Sequence, residues 1–335
     1  MQFARFIVMR AAMAIFTLLL VSFIVFSLME LVPGDCAERY LAFKNTQGSQ
    51  ISVEDIEAER IRLGLDKPFI VRWGTWISNV FLRGDFGDSC ILRVGINDLL
   101  KDKFWISLGI CLTALLLAYA IAIPVGIYAA TARNPLANNS LRFVSYLGLA
   151  MPNFLLALMI MLFSTIVFGD SMTGLFSKEY RDAEWSVDRV LDFLSRAWLP
   201  VFILGWSATA FALQTVRALM SDEIGKLYVT AAAARGISGR RLLWRYPARH
   251  ALSPIINSLG FDLNRIFNEL PVVALIMTLT EAGALLIEAL ARSNDQQLAG
   301  AIIFLLTASI VGLNFITDVV LAAVDPRIRR GVMGG

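Results

Sequence analysis

Five stretches of this chain carry no charge at all: 11–29, 104–132, 143–169, 197–216 and 296–317. At 1.5 Å rise per residue, roughly 20 residues cross the hydrocarbon core of a bilayer, so each stretch is long enough to span it. A sixth, 254–280, has the length but is interrupted by Asp262, Arg265 and Glu269. The topology of its neighbours requires it, and it counts as a span. Composition agrees: 57% of the 335 residues are apolar, 17% are charged and the mean hydropathy is +0.65. An ordinary soluble domain carries about 25% charge. The expected fold class is therefore an all-α integral membrane protein with six transmembrane helices. A net charge of +3 does not mark a nucleic-acid binder.

Orientation follows from the basic residues in the connections. Arg5 and Arg10 precede the first span, and Arg133 and Arg142 lie between the second and third. Segment 217–250 has seven basic residues against Asp222 and Glu223, and the C-terminal tail has Arg327, Arg329 and Arg330 against Asp325. The alternate connections 33–103, 170–196 and 281–295 are balanced or acidic. Both termini are expected in the cytoplasm. The first span is read as a retained anchor, because no A-x-A-like site follows it. The chain then divides into a cytoplasmic tail with the first span (1–32), an external cap (33–103), and a five-helix core (104–335) with a cytoplasmic loop at 217–253. Within the cap, 53–64 places Ile56, Ile61 and Leu63 among charges, as an amphipathic surface helix would.

Much chemistry is excluded. There is no G-x-x-x-x-G-K-[ST] for nucleotide phosphates and no G-x-S-x-G elbow. A single histidine, His250, excludes a multi-histidine metal site. No catalytic residue, metal or cofactor is expected. Of the three cysteines, Cys111 lies inside the second span as a small apolar residue. Cys36 and Cys90 both fall in the external segment, either as a bridge that pins the cap or as two unpaired thiols.

Residues 221–236 read SDEIGKLYVTAAAARG. Asp222 and Glu223 at the start and Arg235 at the end suit a helix dipole, and Gly236 accepts the left-handed turn that stops a helix. Four alanines present almost no side chain, so a concave protein surface can approach the backbone. The stretch that follows interleaves Leu242, Leu243, Trp244 and Tyr246 with arginines, which suits either a phospholipid surface or an acidic partner.

The run Tyr228-Val229-Thr230-Ala231-Ala232-Ala233-Ala234-Arg235-Gly236, then Arg240-Arg241 and Ala251-Leu252-Ser253-Pro254, resembles the EAA-type coupling loop of ABC type I importer permeases. It is most similar to the B-type subunits of the oligopeptide/dipeptide/nickel branch. Pro33-Gly34-Asp35, Leu63-Gly64-Leu65-Asp66-Lys67-Pro68, Arg83-Gly84-Asp85-Phe86-Gly87 and Asp325-Pro326-Arg327-Ile328-Arg329 follow that branch in order, so the resemblance covers nearly the whole chain. It departs at Ala282-Gly283-Ala284-Leu285, where the branch has P-G-L-G, and at Lys103-Phe104-Trp105-Ile106-Ser107, where it has R-L-P-A-T. The resemblance implies a multi-pass protein of the bacterial inner membrane, paired with a second, homologous permease as a heterodimer. It further implies two cytoplasmic ATPase subunits and a periplasmic substrate-binding protein. Tyr228, Ala231, Ala232, Arg235 and Gly236 match the coupling positions. The implied solute is a peptide, or a related oligosaccharide, opine or nickel complex.

Asp262, Arg265 and Glu269 sit at i, i+3 and i+7 and share one helix face, with Arg265 in reach of both acids. Asn264 and Asn268 lie one turn apart on an adjoining face. A charge at membrane depth costs at least ~2.5–3.5 kcal/mol and faces a cavity or a partner. Three readings stand open: the stripe lines the translocation path, it forms a self-neutralised triad against the sister permease, or it lies near the cytoplasmic surface. Two rival functions draw on Asp262. One is an ion-coupled secondary transporter with Asp262, Arg265 and Glu269 as a proton relay; the other is an intramembrane protease using Asp262 and Asp318.

Overall fold

The computed structural model describes residues 2–31, 33–46, 52–132, 134–169, 173–181, 183–279, 281–293 and 295–324. Its ordered elements are helices: α1 (Gln2–Leu31), α2 (Cys36–Thr46), α3 (Val53–Leu63), α4 (Phe69–Arg83), α5 (Ile96–Thr131), α6 (Pro135–Ala150), α7 (Asn153–Phe168), α8 (Val187–Ile224), α9 (Leu227–Ala234), α10 (Gly239–Arg245), α11 (Pro247–Ile276), α12 (Ala282–Ile287), a π-helical turn (Glu288–Arg292) and α13 (Gln296–Val324). The expected Asp325 to Arg329 motif lies outside the described residues.

Four helices, α1, α5, α8 and α13, are long and apolar enough to cross a membrane. The expected third span, 143–169, is not one straight helix: α6 and α7 meet at 96°. Pro152 has no N–H to continue the helical ladder and pushes the residue before it into extended backbone, which Met151 adopts at φ −94°, ψ 113°. The charged stretch 254–280 is helical as α11, which runs for 30 residues.

Burial in α7 is the inverse of that in a soluble helix. Asn153 and Ser164 are buried, while Phe154, Leu158, Leu162 and Ile166 are exposed at helical spacing. Exposed apolar stripes of this size need a lipid solvent, and a helix satisfies its own backbone there. The chain is a multi-pass membrane protein.

Contacts divide the chain into two units. In the first, built on 108–279, α5 and α8 meet through small residues. Ala114, Ala118 and Ala122 are all but fully buried at four-residue spacing, and Gly126 continues that row. A Cβ added at Gly126 would lie 2.7 Å from the Val216 Cβ, and one at Gly205 would lie 3.3 Å from the Ala114 carbonyl oxygen. Such rows let membrane helices approach at backbone distance, where dispersion rather than water expulsion holds them. Between α7 and α8, Arg189 donates to the Ala183 and Arg181 carbonyls and stacks over Phe176 and Trp185, tying that loop down.

The second unit, 8–107 with 280–312, holds the cap. The expected helix over 53–64 forms as α3. Ser52 and Asp55 close a reciprocal capping box at its start, and Gly64 stops it at φ +66°. It buries no residue, although Leu63 packs at the edge of a cluster with Cys36, Cys90 and Ile91. Trp73 and Trp76 belong to α4. They pack on Phe23 and Phe26 of α1, and Trp73 donates to Ser22. Trp105 and Trp198 remain exposed.

Candidate functional site

The expected coupling helix is α9, and its boundaries differ from the sequence expectation at the start. Asp222 and Glu223 belong to the last turn of α8, not the first turn of α9, because the chain breaks at Gly225 and Lys226. An acid at a helix C-terminus opposes the dipole. Glu223 is compensated across the break: it accepts hydrogen bonds from Lys226 and from the Tyr228 hydroxyl. Burial, then the Glu223 carboxylate, pushes the Tyr228 phenol up to about 12, so it stays a donor throughout the physiological range. Its ring meets His250 edge-on at 5.3 Å. Tyr228 thus pins α9 to the ends of α8 and α11.

The end of α9 follows the sequence closely. Gly236 takes φ +86°, its N–H reaches the Ala233 carbonyl at 2.9 Å, and the Ile237 N–H reaches Ala232 at 3.3 Å. This is the double closure of a Schellman turn. The face presented outward is Thr230, Ala231, Ala233, Ala234, Arg235 and Gly236, whereas Val229 and Ala232 are buried. Ala232, at 0% exposure, lets α9 sit close to its own subunit. Leu227, 88% exposed, is an outward residue the alanine pattern did not point to.

The charged stripe of α11 departs further. Among the described residues no ion pair joins Arg265 to Asp262 or to Glu269; each charge is turned to a different neighbour. Asp262 is 1% exposed and accepts from the Tyr119 hydroxyl of α5 and, at 3.4 Å, from Ser258. Glu269 accepts from the Asn153 amide at the start of α7, which also donates to the Leu204 carbonyl of α8. The Arg265 guanidinium lies 4.9 Å over the Phe211 ring of α8, while its Nε and one Nη have no hydrogen-bond partner. Asn268 donates weakly to Asn264 at 3.5 Å. Tyr119, Asn153 and Phe211 were not singled out from the sequence. The signal for Asn153 was available, since it is the one amide in the uncharged run 143–169.

In the cap, Cys36 and Cys90 are joined as a disulfide with their Cα atoms 5.4 Å apart. Asp295, 1% exposed, holds the turn beside it. Its carboxylate accepts from the Ser89 hydroxyl and from the Cys90 and Ile91 N–H groups at 3.3 Å each, while it also caps α13 through Leu298. Glu281 plays a similar part where the sequence departs from P-G-L-G. It is fully buried, accepts from Ser107, and caps α12 through Gly283 and Ala284.

Among the described residues the chain combines apolar membrane-length helices, one sharply bent helix pair and a short, small-residue helix on a connection. The chain belongs to the family of binding-protein-dependent transport system inner membrane components, whose model matches residues 122–330, and the N-terminal model of the same systems matches residues 3–96. It is similar over nearly its whole length to proteins of this kind. The oligopeptide transport system permease protein AppB of Bacillus subtilis is 29% identical over 97% of this chain and 99% of its own. A putative peptide transport system permease protein of Brucella abortus is 28% identical over 96% and 98%. The glutathione transport system permease protein GsiC of Escherichia coli is 26% identical over 97% and 99%. The chain is thus a membrane component of a binding-protein-dependent transport system, similar to permease proteins named for peptide transport.

Proposed function

We propose that this chain forms half of the translocation path of an ATP-driven importer for peptides, or for a related small polar solute such as an oligosaccharide. It sits in the bacterial inner membrane with six spans: α1, α5, the bent pair α6–α7, α8, α11 and α13. We count α11 because its acids are turned to Tyr119 and Asn153 inside the bundle rather than to lipid. Both termini face the cytoplasm and the cap faces the periplasm, where a binding protein delivers solute. A second, homologous permease supplies the other half, and two cytoplasmic ATPases receive the coupling helices.

The observation that carries this reading is α9: a short helix, pinned through Tyr228 and Ala232, whose outward residues after Leu227 and Thr230 are Ala231, Ala233, Ala234, Arg235 and Gly236. A surface so poor in large side chains towards its C-terminal end admits close docking, and a pinned helix passes a push to the spans as a rigid body. Along α11, Arg265 and Glu269 line the path, and Asp262 supports them from within the bundle by fixing α5.

The deciding experiment is purification of this chain from its native membrane in mild detergent, with co-purifying proteins identified by mass spectrometry. P-loop ATPases and a second permease are the expected companions. Recovery of the chain alone, active in vesicles without ATP, would replace the importer reading by ion-coupled transport through the same charges.

A further inference from the structure

We propose that Arg265 is the docking point for a carboxylate carried by the solute, the C-terminal carboxylate where that solute is a peptide. The inference rests on the importer reading above and names the chemistry of its path.

The outward face of α11 is a stripe at helical spacing: Phe261, Asn268, Val272 and Leu275 are exposed, with Asn264 and Arg265 along its edge. The opposite face, Leu263, Ile266, Leu270 and Val273, is buried. Two amides on the open side of a span are costly against lipid and fit a wet path. Arg265 sits at the boundary. Its Nε and one Nη are buried with no acceptor, and its Cζ lies over the Phe211 ring. One turn further along α8, Gln214 Nε2 also has no acceptor. A guanidinium carries five N–H donors and does not deprotonate, so donors without acceptors cannot be relieved by losing the charge.

Neither acid on the same helix forms an ion pair with Arg265: Asp262 accepts through Oδ2 from Tyr119 and Ser258, its Oδ1 being buried without a partner, and Glu269 accepts from Asn153. An incoming carboxylate matches what is left, because two parallel N–H groups can donate to its two oxygens in one plane. Asn264 and Asn268 beside it supply the donors and acceptors that a peptide group needs. Asp262 and Glu269 nearby keep the local charge from holding an anion fast. That is what a path requires: binding good enough to enter and weak enough to leave.

The test uses the assembled importer with its binding protein in proteoliposomes, given an equimolar pool of tripeptides of which half are amidated at the C-terminus. Uptake of free over amidated forms is read by mass spectrometry. The binding protein's own preference is common to every variant, so the change in this ratio reports on the permease. Arg265→Gln is expected to lower the ratio about tenfold relative to wild type, and Arg265→Lys, which keeps the charge but not the planar fork, about threefold. Should Arg265→Gln fail to assemble, Arg265→Lys decides. A wild-type ratio in the assembled variants would overturn the inference while leaving the importer reading intact. The same ratio with loss of the second permease on purification would also overturn it, and would assign the guanidinium to an acid on that partner. If wild type takes up none of the pool, the peptide reading itself fails and this inference with it.

Discussion

At the scale of single residues, sequence spacing placed the α11 charges on one face but could not say what each would meet. Asp262 is paired with Tyr119, which is 143 positions away in the chain, and no local pattern links them. Tyr119→Phe removes a hydroxyl donor from a buried carboxylate, which should cost about 1–3 kcal/mol. Thermal unfolding of the purified protein measures it; an unchanged midpoint would mean that Asp262 is held by something else. The expectation that Arg265 reaches both acids fails for a related reason. The spacing permits the contact within one helix, but α5 and α7 offer the acids neutral donors in packed positions. Ala231 and Ala232 looked alike in the sequence, and only burial separates them. Ala231→Trp should leave the permease folded and abolish co-purification of its ATPases, whereas Ala232→Trp should lower the yield of the permease itself. Equal behaviour of the two variants would contradict the orientation of α9.

At the scale of elements, the stop of α9 was the most legible part: Gly236 ends it with positive φ, because capping uses groups within a few residues of one another. Its start was not, since Asp222 and Glu223 close α8 instead. The break between α6 and α7 was legible in Pro152, but its meaning was not. A proline inside an apolar run reads as a kink, and the 96° turn depends on Asn153 finding the Leu204 carbonyl and Glu269. Helix approach was not legible at all. A Cβ at Gly260 of α11 would lie 1.5 Å from Asn314 Oδ1 of α13. Gly260→Ala should therefore destabilise by about 1–3 kcal/mol through overpacking. Asn314→Ala in the same chain should recover most of that loss, measured by the same unfolding midpoint; simply additive losses would place the two side chains out of contact.

At the scale of the whole molecule, the cap is held by a covalent link between distant positions. Cys36 and Cys90 are 54 residues apart, and Asp295 ties the same turn to α13. The bridge should contribute about 2–4 kcal/mol by restricting the unfolded chain. Alkylation of intact, denatured protein should label Cys111 alone before reduction and all three cysteines after it. Labelling of all three without reductant would show two free thiols instead.

What the sequence determined by itself is what depends on near neighbours: the apolar runs, the capped helix ends, the alanine helix closed by Gly236 and the preference for a lipid solvent. Runs and caps are short-range, so the chain writes them out in order. What only the tertiary structure decided is the set of meetings between segments far apart in the chain. Asp262 faces Tyr119, Glu269 faces Asn153, and Ala232 turns inward while Ala231 turns out. A single buried hydrogen bond or a close glycine contact selects among such meetings by its cost when unmade. That cost exists only once the helices are packed.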